Sequence, residues 1–180
     1  MAAGFETVEF IAEPEAAAIA SGRAEGAPRL GLIVDIGGGT SDFSLFENAP
    51  GSSVRILANH GVRIGGTDFD RSISTRHVIP LLWHGSLLRK DMGGGLLTTP
   101  KAIFNDLANW EKIAFVYSAE NQRLARDMYR LAEEPKKLHR LVSVLEHQLG
   151  HDLACAVEKG KIEANTGVDH ALVDLSYVEK

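Results

Sequence analysis

The sequence predicts an α/β protein, with a mixed sheet in the first half of the chain and mostly helices in the second. From about residue 5 to residue 75, apolar runs rich in Val and Ile are interrupted by Gly, Pro and Asn, which is typical of short strands joined by turns. Beyond Pro100 the pattern becomes helical. Leucines at 138, 141, 145 and 149 there keep the three-and-four spacing of one buried helix face. These patterns predict an α/β subdomain over residues 1–80 and a mostly helical subdomain over residues 81–180.

Each element in the first subdomain follows from its local sequence. The stretch EPEAAAIASG (13–22) predicts a helix, because Pro14 suits a first turn, alanines favour the helix and Gly22 suits its end. RLGLIVDIGG predicts a buried strand near 30–36, and TSDFSLFE an alternating strand near 41–47 that returns beside it. SVRILANHG predicts a third strand near 54–60.

The second subdomain is expected to be helical from about residue 100 to 165, with one helix entered through Pro135. The segment from Ser86 to Thr99 contains MGGG and TTP and is predicted to be an inserted loop. The pattern of HALVDLSYVE, near the end of the sequence, is that of an extended segment again.

Composition excludes several classes of protein. The 180 residues are 44% hydrophobic and 24% charged, which suits one globular domain or two small subdomains. No apolar run approaches the ~18 residues of a spanning helix, and the first residues lack the features of a signal peptide, so we expect a cytoplasmic protein with no membrane partner. The single cysteine, Cys155, agrees with that compartment. A net charge of −5 without a basic stripe argues against nucleic acid as a partner.

The stretch VDIGGGTSDFS (34–44) carries the main functional signal. Three glycines in a strand-turn-strand can adopt backbone dihedrals closed to other residues and let N–H groups approach an anion such as phosphate, with the Thr40 hydroxyl as a further donor. Asp35 and Asp42 bracket this turn. Two carboxylates would repel a bare phosphate, so they imply a divalent cation, Mg²⁺, held partly through water. The alternative is a flexible hairpin whose aspartates are solvated turn formers.

Three successive motifs resemble the seventy-kilodalton heat-shock (DnaK-like) chaperones of the actin-like ATPase superfamily: EPEAAAIASG, LIVDIGGGTSDFSLF and GVRIGGTDFDRSIS. The central motif keeps every position of the family's form, an apolar strand followed by Asp-x-Gly-Gly-Gly-Thr-x-Asp. ACAVEKGKIEANTG (154–167) resembles, less closely, the family's adenosine-contacting helix. The resemblance covers about residues 5–75 and 138–177. The tract between them is longer than in typical members, which resembles a divergent bacterial branch.

The resemblance implies an actin-like (ribonuclease H-like) lobe that binds ATP or ADP with Mg²⁺. It implies that Glu13 orders the metal and the attacking water, that Asp35 and Asp42 lie near the metal and the phosphates, and that Gly37, Gly38, Gly39 and Thr40 form the phosphate loop. Gly65 and Gly66 match a glycine pair lining the nucleotide cleft, and Glu158 and Lys161 match residues that hold the ribose and adenine edge. Where the family has an arginine and a serine after that lysine, this chain has Ile162 and Asn165.

The implied function is that of a chaperone ATPase domain whose nucleotide state controls the grip on unfolded client proteins, with co-chaperones as further partners. An actin-like scaffold or a sugar-kinase relative using the same phosphate loop is the alternative, and IGGTDFD resembles the chaperone form more closely. The chain has one glycine-rich phosphate motif, where the resembled fold closes two lobes around the nucleotide. We therefore expect the second lobe of a larger ATPase domain that is inactive alone. An excised piece of a longer protein is favoured over the alternative, a naturally degenerate protein.

The histidines of HQLGH and the two tryptophans could also suggest a metal site or a stacking platform. HQLGH places His147 and His151 four residues apart, which is zinc-ligand spacing on a helix. Gln148 stands where a zinc protease has its glutamate and no third ligand is evident, so a metal is not predicted there. Trp83 and Trp110 are interpreted as packing residues rather than a stacking platform.

Overall fold

The computed structural model describes residues 4, 6–21, 29–48, 54–90 and 94–179. The chain divides into two compact units, Met1–Gly66 and Thr67–Lys180, and each is described by itself below. The boundary between the two subdomains predicted from the sequence lies near residue 80, whereas the boundary between the two compact units follows Gly66. The functional division into a phosphate-binding and an adenosine-contacting subdomain stays a prediction.

The first unit is a three-stranded antiparallel sheet with one helix. The helix α1 spans Glu13–Ala20, and the strands are β1 (Arg29–Ile36), β2 (Ser41–Asn48) and β3 (Arg55–Val62), in the order β1-β2-β3. The three strands confirm the sequence-based prediction. Pro14 lies in the first turn of α1, as expected, whereas the proposed end at Gly22 lies outside the described residues.

The core of this unit is small and lies on one face of the sheet. Ala18 of α1 is fully buried there with Phe46 and Val54. The prediction that β1 is a buried strand is wrong, because four alternate side chains on its other face are 49–66% exposed. These residues are Leu30, Leu32, Val34 and Ile36. A strand covered on one face buries only every second side chain.

The second unit opens with α2 (Gly66–Ile73), which continues through a π turn at Ser74–Val78 and a 3-10 turn at Ile79–Leu82. The prediction of a loop over residues 86–99 is wrong. That segment contains a short antiparallel hairpin, β4 (Leu87–Arg89) with β5 (Leu96–Thr98). Leu88 is buried in the hairpin, so paired leucines outweigh the glycines that suggested a loop.

The helical prediction for residues 100–165 is confirmed. The helices are α3 (Ala102–Leu107), α4 (Ile113–Val116), α5 (Ala119–Leu131), α6 (Pro135–Glu146) and α7 (Gly150–Ala164). Helix α6 begins at Pro135, and Leu138, Leu141 and Leu145 on its predicted face are fully buried. Leu149 lies beyond the end of α6 and packs, partly buried, against the same core.

The segment HALVDLSYVE forms no strand in the described residues, so the extended prediction is corrected. It has no regular structure before a 3-10 turn at Ser176–Glu179. Leu172 and Val173 lie against Gly160 of α7, where a Cβ would stand 2.8 Å from a Val173 methyl. Within the part of the chain that the structure describes, this segment packs on a helix instead of pairing as a strand.

The observed class is mixed α/β with many helices, as the sequence predicts. The prediction of a mixed sheet is wrong for the described residues, because the strands of both sheets pair antiparallel. In the part of the chain that the structure describes, no helix is both long enough and apolar enough to cross a membrane.

Candidate functional site

The glycine turn between β1 and β2 is closed by its own backbone. The N–H of Gly37 donates to the carbonyl of Thr40 at 2.8 Å, and the hydroxyl of Ser41 donates to the carbonyl of Ile64 at 2.8 Å. The N–H of Gly66 donates to the carbonyl of Gly37 at 3.0 Å. The turn is therefore held from both ends and is not a loose hairpin loop.

The predicted glycine pair lies directly against this turn. Gly65 is buried, and a Cβ built on it would overlap the carbonyl of Gly38 and the N–H of Gly39. The structure thus brings Gly65 and Gly66 to the predicted phosphate loop. Gly37, Gly38 and Gly39 are not among the described residues with positive φ, so the turn does not use the left-handed dihedrals that glycine permits. Glycine is required at position 65 because its backbone lies close to the backbone of Gly38 and Gly39.

The two predicted metal-binding carboxylates lie directly opposite each other. Asp35 of β1 pairs with Asp42 of β2 in the antiparallel register, so both side chains point to the same face of the sheet. Gly61 of β3 is the partner of Asp42 on the other side, and a Cβ there would overlap Oδ1 of Asp42. The missing side chain at Gly61 leaves the room that the Asp42 carboxylate occupies.

A surface pocket of about 310 Å³ joins these carboxylates to Glu13. Glu13 stands at the start of α1, and its carboxylate is the third acidic group of the pocket. The remaining lining residues come from α1 and all three strands and are Pro14, Ala17, Ile33, Phe43, Ser44, Asn59, His60 and Gly61. Three of the predicted catalytic residues therefore share one pocket of the first unit, and all three are exposed.

The residues of this pocket fit a hard divalent cation. Like charges directly opposite on neighbouring strands repel, and a cation between Asp35 and Asp42 would reverse that repulsion. Carboxylate oxygens are the ligands that Mg²⁺ prefers, and Mg²⁺ keeps several waters and phosphate oxygens in its shell. The described residues contain no group of three or more side chains that could hold a metal unaided.

Asn59 and His60 of β3 also line the pocket, and the sequence analysis did not select them. Within SVRILANHG they look like ordinary residues at the end of a strand. Their place becomes visible only through the register of β3 on β2, which pairs Ser44 with Asn59 and Phe43 with His60.

The two predicted adenosine contacts lie on α7, in the second unit. The ammonium of Lys161 forms an ion pair of 2.8 Å with Oδ2 of Asp70 on α2, and both side chains are largely buried. Glu158 is exposed and lines a second pocket together with Asp70. Ile162, at the position of the family's arginine, is 57% exposed.

The structure separates the two histidines of HQLGH. His147 caps the C-terminus of α6, and Gln148, with a φ of 54°, turns the chain before His151 on α7. The four-residue spacing therefore does not lie on one helix, as zinc-ligand spacing requires. The ring of His151 meets Trp110 edge-on at 5.0 Å. Trp83 packs partly buried against the core as expected, whereas Trp110 is 48% exposed and lies outside that core.

Known proteins similar to this mixed α/β chain belong to the family that its three motifs resemble. The family model described as "Hsp70 protein" matches residues 1–81. The chain is 31% identical over 155 residues to "Chaperone protein DnaK" of Thermosipho africanus, an alignment that covers 84% of this chain and 25% of that protein. It is 33% identical over 101 residues to "Heat shock 70 kDa protein 7, chloroplastic" of Arabidopsis thaliana, covering 56% of this chain and 13% of that protein. The chain belongs to the Hsp70 superfamily.

The matched regions differ in extent from relative to relative. With "Chaperone protein DnaK" of Anaplasma marginale, identity rises to 40% but over only 72 residues, which are 39% of this chain and 11% of that protein. The chain thus spans about a quarter or less of the length of these curated relatives.

Proposed function

We propose that this chain is part of the nucleotide-binding domain of an Hsp70-like molecular chaperone, a second lobe of the actin-like kind, which binds ATP with Mg²⁺ and hydrolyses it. The observation that carries the proposal is the grouping in the first unit. There the glycine turn is fixed against Gly65 and Gly66, and Glu13, Asp35 and Asp42 share one pocket. The match of residues 1–81 to the Hsp70 model favours a chaperone over an actin-like scaffold or a sugar kinase.

Each residue has a distinct role in this proposal. Gly37, Gly38, Gly39 and Thr40 form the phosphate loop. The N–H of Gly37 closes the turn on Thr40, and the neighbouring backbone N–H groups and the Thr40 hydroxyl bind phosphate oxygens, because such donors at a tight turn form an anion-binding concavity. Asp35 and Asp42 hold Mg²⁺, partly through water. Glu13, which lines the same pocket, orients the attacking water. Bound Mg²⁺ would neutralise the charge of the phosphates, which lowers the barrier to phosphoryl transfer.

Further assignments follow from the resemblance to the family. Glu158 and Lys161 contact the adenosine, and the nucleotide state controls the binding of unfolded client proteins, with co-chaperones as regulators. The ion pair with Asp70 supports the role of Lys161, because it fixes a long flexible side chain in one position. The cytoplasm is the proposed compartment.

The test is ATP hydrolysis by the whole gene product in the presence of Mg²⁺. Asp35→Ala and Asp42→Ala should each lower kcat by about 10²–10³, the usual effect of removing one preorganised electrostatic contact. His147→Ala is the matched control, since His147 caps a helix in the second unit and should leave the rate unchanged. An Asp42→Ala protein as active as the parent would show that this carboxylate does not position the metal.

A further inference from the structure

The acidic pocket of the first unit contains an uncharged polar residue that lies outside the three motifs. Asn59 of β3 lines this pocket together with Glu13, Asp35 and Asp42, and it is exposed. Its stretch, SVRILANHG, predicts a strand and nothing more. Asn59 is therefore a polar residue in the pocket to which neither the sequence nor the proposed function gives a role.

The register of the sheet places Asn59 next to Asp42. Asn59 pairs with Ser44 and Gly61 pairs with Asp42, so Asn59 and Asp42 are diagonal neighbours on one face of the sheet. Diagonal neighbours on antiparallel strands have Cα atoms about 7–8 Å apart, a distance that two polar side chains can bridge through a water molecule. Because Gly61 has no side chain, Asn59 is the residue of β3 whose side chain on this face comes closest to Asp42.

Asn59 also adds a hydrogen-bond donor that the three carboxylates lack. An ionised carboxylate only accepts hydrogen bonds, whereas an amide side chain accepts through its oxygen and donates through its NH2 group. The hydroxyl of Ser44 lies on the same face, but Ser44 is only 2% exposed. Asn59 can therefore bind both a water molecule and a phosphate oxygen, which a further carboxylate would repel.

The order of these groups along the sheet suits an in-line displacement. The glycine turn (37–40) comes first, the carboxylates of Asp35 and Asp42 follow, and Asn59 lies one step further from the turn. One step on the same face is two residues, or about 6.6 Å. In phosphoryl transfer the attacking and leaving oxygens lie roughly in line, on opposite sides of the phosphorus. With the phosphates on the glycine turn, the side that water attacks faces Asn59.

We infer that Asn59 is a catalytic residue that orients the attacking water together with Glu13, an inference that rests on the proposed ATPase function. The side-chain oxygen of Asn59 and the carboxylate of Glu13 accept the two hydrogens of the water, and the NH2 group of Asn59 donates to an oxygen of the γ-phosphate. The water oxygen forms the new bond to phosphorus. The bond to the β–γ bridging oxygen breaks, its electron pair stays on ADP, and one proton of the water passes to Glu13.

ATP hydrolysis by the whole gene product with Mg²⁺ tests this role. Asn59→Ala should lower kcat by about 10²–10³ and change the KM for ATP little, because contacts made in the transition state act on kcat. Asn59→Asp keeps the shape of the side chain but loses the NH2 group and adds a negative charge, so kcat should fall at least as far. Arg55→Ala is the matched control on β3, since Arg55 forms an exposed ion pair with Glu47 and should leave kcat unchanged.

Phosphate analogues give a second measurement that does not depend on turnover. Mg-ADP with aluminium fluoride imitates the phosphoryl group during transfer, with a water in the attacking position, whereas Mg-ADP with beryllium fluoride imitates the bound γ-phosphate. Calorimetry should show that Asn59→Ala weakens the aluminium fluoride complex by a factor close to its loss in kcat. The beryllium fluoride complex should be weakened much less.

The outcomes separate this inference from the proposed function. Unchanged kcat in Asn59→Ala, full activity in Asn59→Asp, or equal weakening of both analogue complexes would each overturn the role of Asn59. Loss of activity in Asp42→Ala with full activity in Asn59→Ala would overturn that role alone. Full activity in Asp42→Ala would overturn the proposed function itself.

Discussion

At the scale of single residues, Gly65 shows why the candidate phosphate loop has its shape. A Cβ at this position would overlap backbone atoms of Gly38 and Gly39, and a backbone cannot move aside as a flexible side chain can. The requirement is one of space, since Gly65 is not among the residues with positive φ. Glycine here therefore couples the turn to the segment that leads into α2.

Gly65→Ala should consequently loosen the first unit. Overpacking against backbone commonly costs about 1–3 kcal/mol, and we expect faster hydrogen exchange at the amides of β1, β2 and β3. Gly39→Ala is the matched control, because a Cβ at Gly39 meets nothing within 4 Å and its φ is not in the left-handed region. Equal exchange rates in the two variants would contradict the role given to Gly65.

Tyr177 offers a residue-scale test of the second unit. Burial, with a smaller effect from the negative charges of Asp152, Asp174 and Cys155, raises the pKa of its phenol to about 12. The hydroxyl is buried and has no hydrogen-bond partner among the described residues. The folded protein therefore keeps this phenol neutral at a pH where the unfolded chain ionises it.

The pH dependence of stability follows from this difference. In the unfolded chain the phenol has a pKa near 10.0, so between about pH 10 and pH 12 the unfolded state binds fewer protons than the folded state. The contribution of Tyr177 is complete below pH 10 and is lost as the pH rises to about 12. Tyr177→Phe should flatten the fall in the free energy of unfolding over that window and change it little at pH 7. Urea unfolding at a series of pH values gives the free energy of unfolding of the variant and the parent. If this free energy fell equally steeply with pH in both proteins above pH 10, the role given to Tyr177 would be contradicted.

At the scale of elements, the sequence predicts helices and strands correctly where neighbouring residues determine the secondary structure. The three strands and the helical tract follow from periodicity, and α6 begins at Pro135 as its fixed φ suggests. The glycine turn and its two aspartates could also be placed, because the antiparallel pairing of β1 and β2 follows from the short connection between them.

The sequence-based predictions were wrong or incomplete where burial or strand pairing depends on residues far away in the chain. Leu32 and Val34 look like core residues in sequence, but within the first unit the described helix α1 covers the other face of β1. The hairpin at Leu87–Arg89 and Leu96–Thr98 was missed because strand pairing is a property of two segments and glycines dominate the local signal. Asn59 and His60 join the acidic pocket only through strand register.

The ion pair between Lys161 and Asp70 illustrates the same limit in the second unit. The two residues are 91 positions apart, on α7 and α2, and no local pattern connects them. Because both side chains are largely buried, breaking the pair would leave one charge poorly solvated, which is costly. The pair therefore fixes the position of α2 next to α7.

At the scale of the whole molecule, the chain alone should bind ATP with Mg²⁺ weakly and hydrolyse it no faster than background. The residues that would contact phosphate and metal are exposed, so water and salt compete with every contact. These residues are Glu13, Asp35, Gly37, Gly38, Gly39, Thr40 and Asp42. Immobilising a ligand costs an estimated ~4–15 kcal/mol, and a partial, open set of contacts leaves little surplus over that cost. Phosphoryl transfer depends on orientation and charge neutralisation, which suffer even more from an open site.

Isothermal titration of the purified 180-residue chain with Mg-ATP measures this directly. We expect a Kd weaker than ~1 μM, which corresponds to about −8.2 kcal/mol. The glycine turn should nevertheless stay ordered, since its hydrogen bonds from Gly37 and Gly66 lie wholly within the first unit. Amide exchange at Gly37 and Gly66, whose N–H groups make these hydrogen bonds, should therefore be slow in the same sample that binds ATP weakly. A Kd at or below ~1 μM would show that an exposed set of contacts on one compact unit is sufficient for tight binding, and the proposal that this chain is only part of a nucleotide site would then have to be abandoned.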